Sequence, residues 1–164
     1  MADVYELVLA LDLRDLSGAE VAELRWHLGL GPQPETLTIV RSFPVVHEDE
    51  DGRLVMAEEP VALLGHHGEA WKVGGALTSA LVGRPSGGWA LTSRQEIHPD
   101  RSGEVGELLA WLAARTTDDH RRPGDQVRLG WIRFYEEDRP AALTVRDGAV
   151  MWPQPPVRWC AAGA

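Results

Sequence analysis

Cysteine is almost missing from this 164-residue chain: Cys160 stands alone near its end, so no intramolecular disulfide can form and a reducing compartment suits it. Lysine is equally scarce, with Lys72 the only one, and 16 basic residues face 25 acidic ones for a formal net charge of -9. Non-specific affinity for a phosphate backbone comes from clustered Lys and Arg, so this balance argues against nucleic acid, and equally against an anionic membrane, as the partner. No apolar run reaches the length of a membrane span. The opening MADVYELVLALDLRD has neither a basic segment ahead of its apolar part nor a small-residue cleavage site after it. The expectation is a soluble, cytoplasmic protein. Catalytic signatures are missing too: there is no Gly-x-Ser-x-Gly elbow and no cysteine with a histidine partner. Gly83-Arg84-Pro85-Ser86-Gly87-Gly88 lacks the Gly-Lys-Ser/Thr ending and the following helix of a phosphate loop. No cofactor is expected.

What is present is enough apolar sequence, 44% of residues, for one well-filled core. Residues 1–152 read as a single domain and 153–164 as a Pro-rich tail. Tyr5, Leu7, Leu9, Leu11 and Leu13 alternate with Glu6, Val8, Ala10, Asp12 and Arg14, a period of two that makes a strand with one apolar face. Ser17 and Glu20 form a capping-box pattern, and Val21, Leu24 and Leu28 follow at helical spacing until Gly29 and Gly31 stop the helix before Pro32. Residues 36–46 then read as a strand. Further strands are expected over 53–64 and 69–82, and a hairpin over 141–145 and 149–152 around Asp147-Gly148.

The strand-helix-strand order returns. Setting Tyr5 over Trp89 matches Leu7 to Leu91, Glu20 to Glu104, Leu24 to Leu108 and Leu28 to Leu112; after a short gap, Leu37, Ile39, Arg41 and Phe43 fall on Leu129, Trp131, Arg133 and Tyr135. We read this as an internal duplication with pseudo-repeats over 4–46 and 88–136. Two such units with extra hairpins imply an α+β fold, a mostly antiparallel sheet with two helices on one face, and the ferredoxin-like arrangement is the simplest closed solution. The alternative is a pair of βαβββ modules, because DLRDLSGAEVAELRWHLGL resembles the first strand, helix and Leu-Gly ending of the vicinal oxygen chelate family. The aromatic pair usual in that helix is absent and no His or Glu stands at matching metal-ligand positions in both strands, so no family site residue carries over.

The duplication assigns a face to the polar stretch SRQEIHPD, residues 93–100. Arg94, Glu96 and His98 fall on the side that Val8, Ala10 and Asp12 occupy in the first copy, turned away from the helices, where a sheet meets water, another subunit or a ligand. Alternate residues of a strand lie about 7 Å apart, close enough to pair with neighbouring strands and too far apart for a preassembled catalytic pair. With Trp131 and Arg133 they are the candidate binding residues, and His98 is the candidate acid/base. His66 and His67 are adjacent, so at most one could join a metal with His98, Glu96 or His47. The run from His47 to Gly52, followed by Leu54 and Glu58, imitates the later positions of an EF-hand loop. His47 holds its first ligand position, however, and Pro44 and Pro60 stand where helices are needed. An acidic hairpin tip is the better reading, and no metal is expected.

Seven tryptophans beside two Phe and two Tyr are the compositional oddity. Trp26 and Trp111 are placed at the core margin, Trp71, Trp89 and Trp131 on strands, and Trp152 and Trp159 in a Pro-rich end that docks on a partner or on its own sheet. Two function classes stay open. The preferred one is a non-catalytic module, a homo-oligomer that binds a protein or a small aromatic or amphipathic ligand on the open sheet face. The alternative is a cofactor-independent or metal-assisted small-molecule enzyme with its pocket on that face, His98 as acid/base and Arg133 or Arg94 holding an anion.

Overall fold

The alternation read from the first strand decides the architecture. In a computed structural model that describes residues 3–153, β1 (Tyr5–Leu13) sits in the middle of the sheet with Leu7, Leu9, Leu11 and Leu13 all buried on one side. Antiparallel neighbours flank it: β6 (Trp89–Ile97), in the register Tyr5 to Ile97, and β8 (Gln126–Phe134), in the register Tyr5 to Phe134. Outward from β6 come β5 (Ala76–Gly83) and the short β4 (Gly68–Glu69); outward from β8 come β9 (Ala141–Arg146) and β10 (Ala149–Met151). The order is therefore β10-β9-β8-β1-β6-β5-β4, with a short β7 (Arg121–Arg122) pairing the start of β8. Every pairing in it is antiparallel.

Two helices complete the α+β fold, α1 (Gly18–His27) and α2 (Ser102–Arg115). The capping box forms as expected: Ser17 Oγ accepts from the Glu20 N–H at 3.2 Å, and Glu20 Oε2 accepts from the Ser17 N–H at 2.8 Å. Leu24 and Leu28 at the α1 end join Val105, Leu108, Leu109 and Leu112 of α2 in one core cluster with the inner side of β1. Burying a side chain of this size contributes about 1.5–3 kcal/mol, so the leucine stripe of β1 is the main local source of stability. The end of α2 closes onto the end of β1, where Arg14 N–H donates to the Arg115 carbonyl and Thr117 N–H donates to the Asp12 carbonyl, each at 2.9 Å. No helix among the described residues is long and apolar enough to cross a membrane.

The ladder of β8 with β9 slips between Arg128 and Gly130, beside β1. Gly130 has φ 155°, and a β-carbon there would collide with the Val8 carbonyl oxygen, so only glycine admits this approach. The Asp147-Gly148 hairpin has positive φ at both turn residues, as a two-residue turn of this kind requires.

Three expectations are corrected. The strand over 36–46 does not form: only its end belongs to a strand, β2 (Pro44–Glu48), which pairs with β3 (Leu54–Glu58) in a separate two-stranded ribbon. The reason is the buried Glu23 of α1, whose carboxylate accepts from the backbone N–H of Thr38, Ile39 and Val40 at 2.6, 2.9 and 3.2 Å. Those donors are then lost to any ladder, and Ile39, Val40 and Phe43 serve as core plugs. The repeat match of 37–43 with 129–135 fails with it. Residues 53–64 and 69–82 likewise hold shorter strands than their patterns imply, because 59–67 and 70–75 are loops. Paired βαβββ modules do not form either, since β6, the strand that enters α2, is seated between β1 and β5 and meets neither β9 nor β10. Of the Pro-rich end, Trp152 packs partly buried against the core beside Gly106 of α2; Trp159 and Cys160 lie outside the described residues.

Candidate functional site

The face of the sheet turned away from the leucine stripe is built by the even-numbered residues of β1 and β6. Glu6 is placed there, yet it is only 3% exposed. Across from it on one side is Arg133 of β8, and near it on the other is Arg94 of β6. Arg94 donates from Nε to Glu6 Oε1 at 2.7 Å, and Arg133 donates from Nε and Nη2 to Glu6 Oε2 at 3.0 and 2.6 Å. Other guanidinium donors are engaged too: Arg94 holds the carbonyls of Ala76 and Gly74, and Arg133 holds that of Glu137. A carboxylate this buried needs such partners to remain charged at tolerable cost, and two planar forks supply them.

Glu96, two residues along from Arg94, does a different job. Its carboxylate accepts the backbone N–H groups of Trp71, Lys72 and Val73 at 2.8, 2.5 and 2.9 Å, drawing the 70–75 loop against the sheet. Its burial works to raise the pKa, but those three donors, helped by nearby His66, outweigh it and hold the group below the usual carboxylate range. Trp71, expected on a strand, rides on this loop, exposed, with Lys72 Nζ 4.9 Å from its ring centre. His98 ends the strand: its Nδ1 accepts from the Asp100 N–H at 3.2 Å and caps the turn that leads into α2. Trp131 lies beside Val8 on the same face, half-buried.

Of the sequence-derived residues, the structure thus gathers Arg94 and Arg133 on one carboxylate, and sets Glu96 and His98 on a separate pocket of about 320 Å³ with His66, Glu69 and Trp71 on its wall. Glu6, the centre of the arginine pair, was not singled out by sequence reasoning. The one available signal was an acid set among the apolar residues of the first strand.

The histidine pair is structural. His66 exchanges both backbone groups with the Gln95 amide, at 3.0 and 2.9 Å, and His67 Nε2 lies 2.8 Å from the Leu28 carbonyl. In the acidic ribbon, Asp49 Oδ1 accepts from the N–H of Asp51 and Arg53, which makes a tight hairpin tip of the run that imitates an EF-hand. No cluster of three or more His, Cys, Asp or Glu side chains suited to a metal occurs among the described residues. A second cavity, about 350 Å³ and mostly apolar, opens between Tyr5, Ile97, Ile132 and Trp152. Burial there, with Asp3 and Glu137 nearby, keeps the Tyr5 phenol above its ordinary pKa and therefore neutral.

The centre of the outer face carries small side chains. Ala80, Thr92 and Ala10 stand in one cross-strand row, all exposed, with Val82 and Val8 alongside. No known protein family, no curated protein and no solved structure matches this chain.

Proposed function

We propose that this chain is a non-catalytic α+β module that works by association, using the outer face of its sheet as the contact surface. The observation that carries the reading is the division of labour on that face: Glu6, Arg94, Arg133 and Glu96 are tied down by internal partners, while the Ala80-Thr92-Ala10 row is left open. Among the described residues, Arg94 and Arg133 are committed to Glu6 and to backbone carbonyls, and His98 has no acid or nucleophile at hydrogen-bonding distance other than its own cap partner Asp100. An exposed row of small residues across neighbouring strands admits close approach of another surface.

We further infer that the heart of the fold is ferredoxin-like. The order β8-β1-β6-β5 supports it, with β1-α1-β5 and β6-α2-β8 as the two related halves. On that reading the partner of β8 under the duplication is β5, displaced by the inserted β2-β3 ribbon. A cytoplasmic setting suits the lone cysteine.

The test is sedimentation of the purified protein with and without the double substitution Ala10→Glu and Thr92→Glu. The wild type is expected to sediment at twice the chain mass and the variant at the chain mass, with unchanged circular dichroism. A wild type that stays monomeric at high concentration refutes association through this face. A competing enzyme reading rests on the pocket between Glu96 and His98. Native mass spectrometry showing a small molecule that leaves on denaturation, and is lost in His98→Ala, would favour it instead.

A further inference from the structure

Building on that reading of the outer face, we infer its occupant: the β2-β3 ribbon of a second copy of this chain. The ribbon is a two-stranded hairpin detached from the main sheet, and such a hairpin is marginal in water without a surface to pack on. Its register, with Val46 opposite Met56 and Glu48 opposite Leu54, puts Val46, Leu54 and Met56 on one side. Those three are 60%, 78% and 69% exposed, and with Val55 they make up four of the seven large exposed hydrophobic residues among those described. An apolar stripe this concentrated marks a contact surface.

Charge decides where the stripe goes. Residues 44–59 hold six carboxylates against Arg53, a net charge of -5 that is more than half of the chain's -9. Two such arms laid on each other repel. The outer sheet face instead offers the exposed Arg128 and, around Glu6, two arginines to one carboxylate, a cluster with a net positive charge, while its other acids are engaged: Asp12 is paired with Arg84, and Glu96 holds the 70–75 loop. The dimensions fit as well. Five residues of ribbon span about 17 Å, which is close to the width of four adjacent strands. The apolar stripe then lies over the Ala80-Thr92-Ala10 row, with its flanking Glu48 and Glu58 set against a face of net positive charge. In a two-fold dimer each copy gives one arm and receives one, so both stripes are covered by the same contact.

The deciding experiment mixes two variants. An arm variant, Leu54→Ser with Met56→Ser, keeps an intact face; a face variant, Ala10→Glu with Thr92→Glu, keeps an intact arm. All four substituted side chains are exposed, so both variants should keep the wild-type circular dichroism. The expected result is that each variant alone sediments as a monomer, while an equimolar mixture recovers a dimer through one intact arm-face contact. If the arm variant stays dimeric and only the face variant dissociates, the arm is not the occupant and association through the face itself stands. If only the arm variant dissociates, arms pair with each other and both readings fall. If both dissociate and the mixture recovers nothing, the arm-face contact is overturned.

Discussion

His27 offers the sharpest quantitative test of the fold. It lies at the end of α1, fully buried between Trp26, whose ring centre is 4.6 Å away, and Phe43, at 6.3 Å. Its Nε2 is 3.7 Å from Glu23 Oε1, too far for a hydrogen bond, and neither ring nitrogen has a hydrogen-bond partner among the described residues. Burial pushes the imidazole down to about 4 from an ordinary 6.5, against the opposing pull of Glu23. The unfolded chain therefore takes up the proton well before the folded one does. Stability is complete above pH 6.5 and is lost progressively as pH falls towards 4. At 1.36 kcal/mol per unit, the full loss is roughly 3 kcal/mol, of which about 2 kcal/mol falls between pH 7.5 and pH 5. Urea unfolding of the wild type and of His27→Leu at those two pH values measures it. Carboxylates shared by both proteins titrate alike, so the difference in slope isolates His27. Equal losses in the two proteins, to within about 0.5 kcal/mol, refute the argument that a neutral buried imidazole sets the acid limit.

Three further outcomes follow from named contacts. Glu6→Leu leaves two guanidinium forks facing each other and should cost about 3–5 kcal/mol in urea unfolding, well above what Arg94→Met costs with Arg133 still on the carboxylate. Glu23→Ala strips the backbone donors of Thr38, Ile39 and Val40 of their acceptor; a loss of about 3 kcal/mol is expected, with fast amide exchange confined to 38–40 before global unfolding. Gly130→Ala drives a methyl group into the Val8 carbonyl and should lower stability by more than about 2 kcal/mol, well beyond the loss from Gly124→Ala, where the methyl meets open space and only the positive φ opposes it.

Much of the fold was legible because it obeys short-range periodicity. The leucine alternation of β1, the Ser17-Glu20 cap and the Asp147-Gly148 turn are each fixed by neighbours within a few residues, so sequence spacing alone specifies them. Two of the failures share one cause. Apolar alternation at Leu37, Ile39 and Phe43 imitates a strand, but a glutamate from α1 takes the backbone donors a strand would need. Trp71 and Val73 imitate another, and Glu96 takes theirs in the same manner. A carboxylate satisfying three consecutive N–H groups across some fifteen to twenty-five residues leaves no local pattern to read.

The candidate site divides along the same line. Sequence placed Arg94, Glu96 and His98 on the outer side of their strand, because a side chain's side follows from counting in twos. Counting could not say that Arg94 and Arg133 converge on Glu6, since that depends on β1 being laid between β6 and β8. The amino-acid sequence by itself determined which side of its strand each residue of β1 and β6 takes. Only the tertiary structure decided which charges meet, because strand order sets distances between residues that the chain separates by more than a hundred positions.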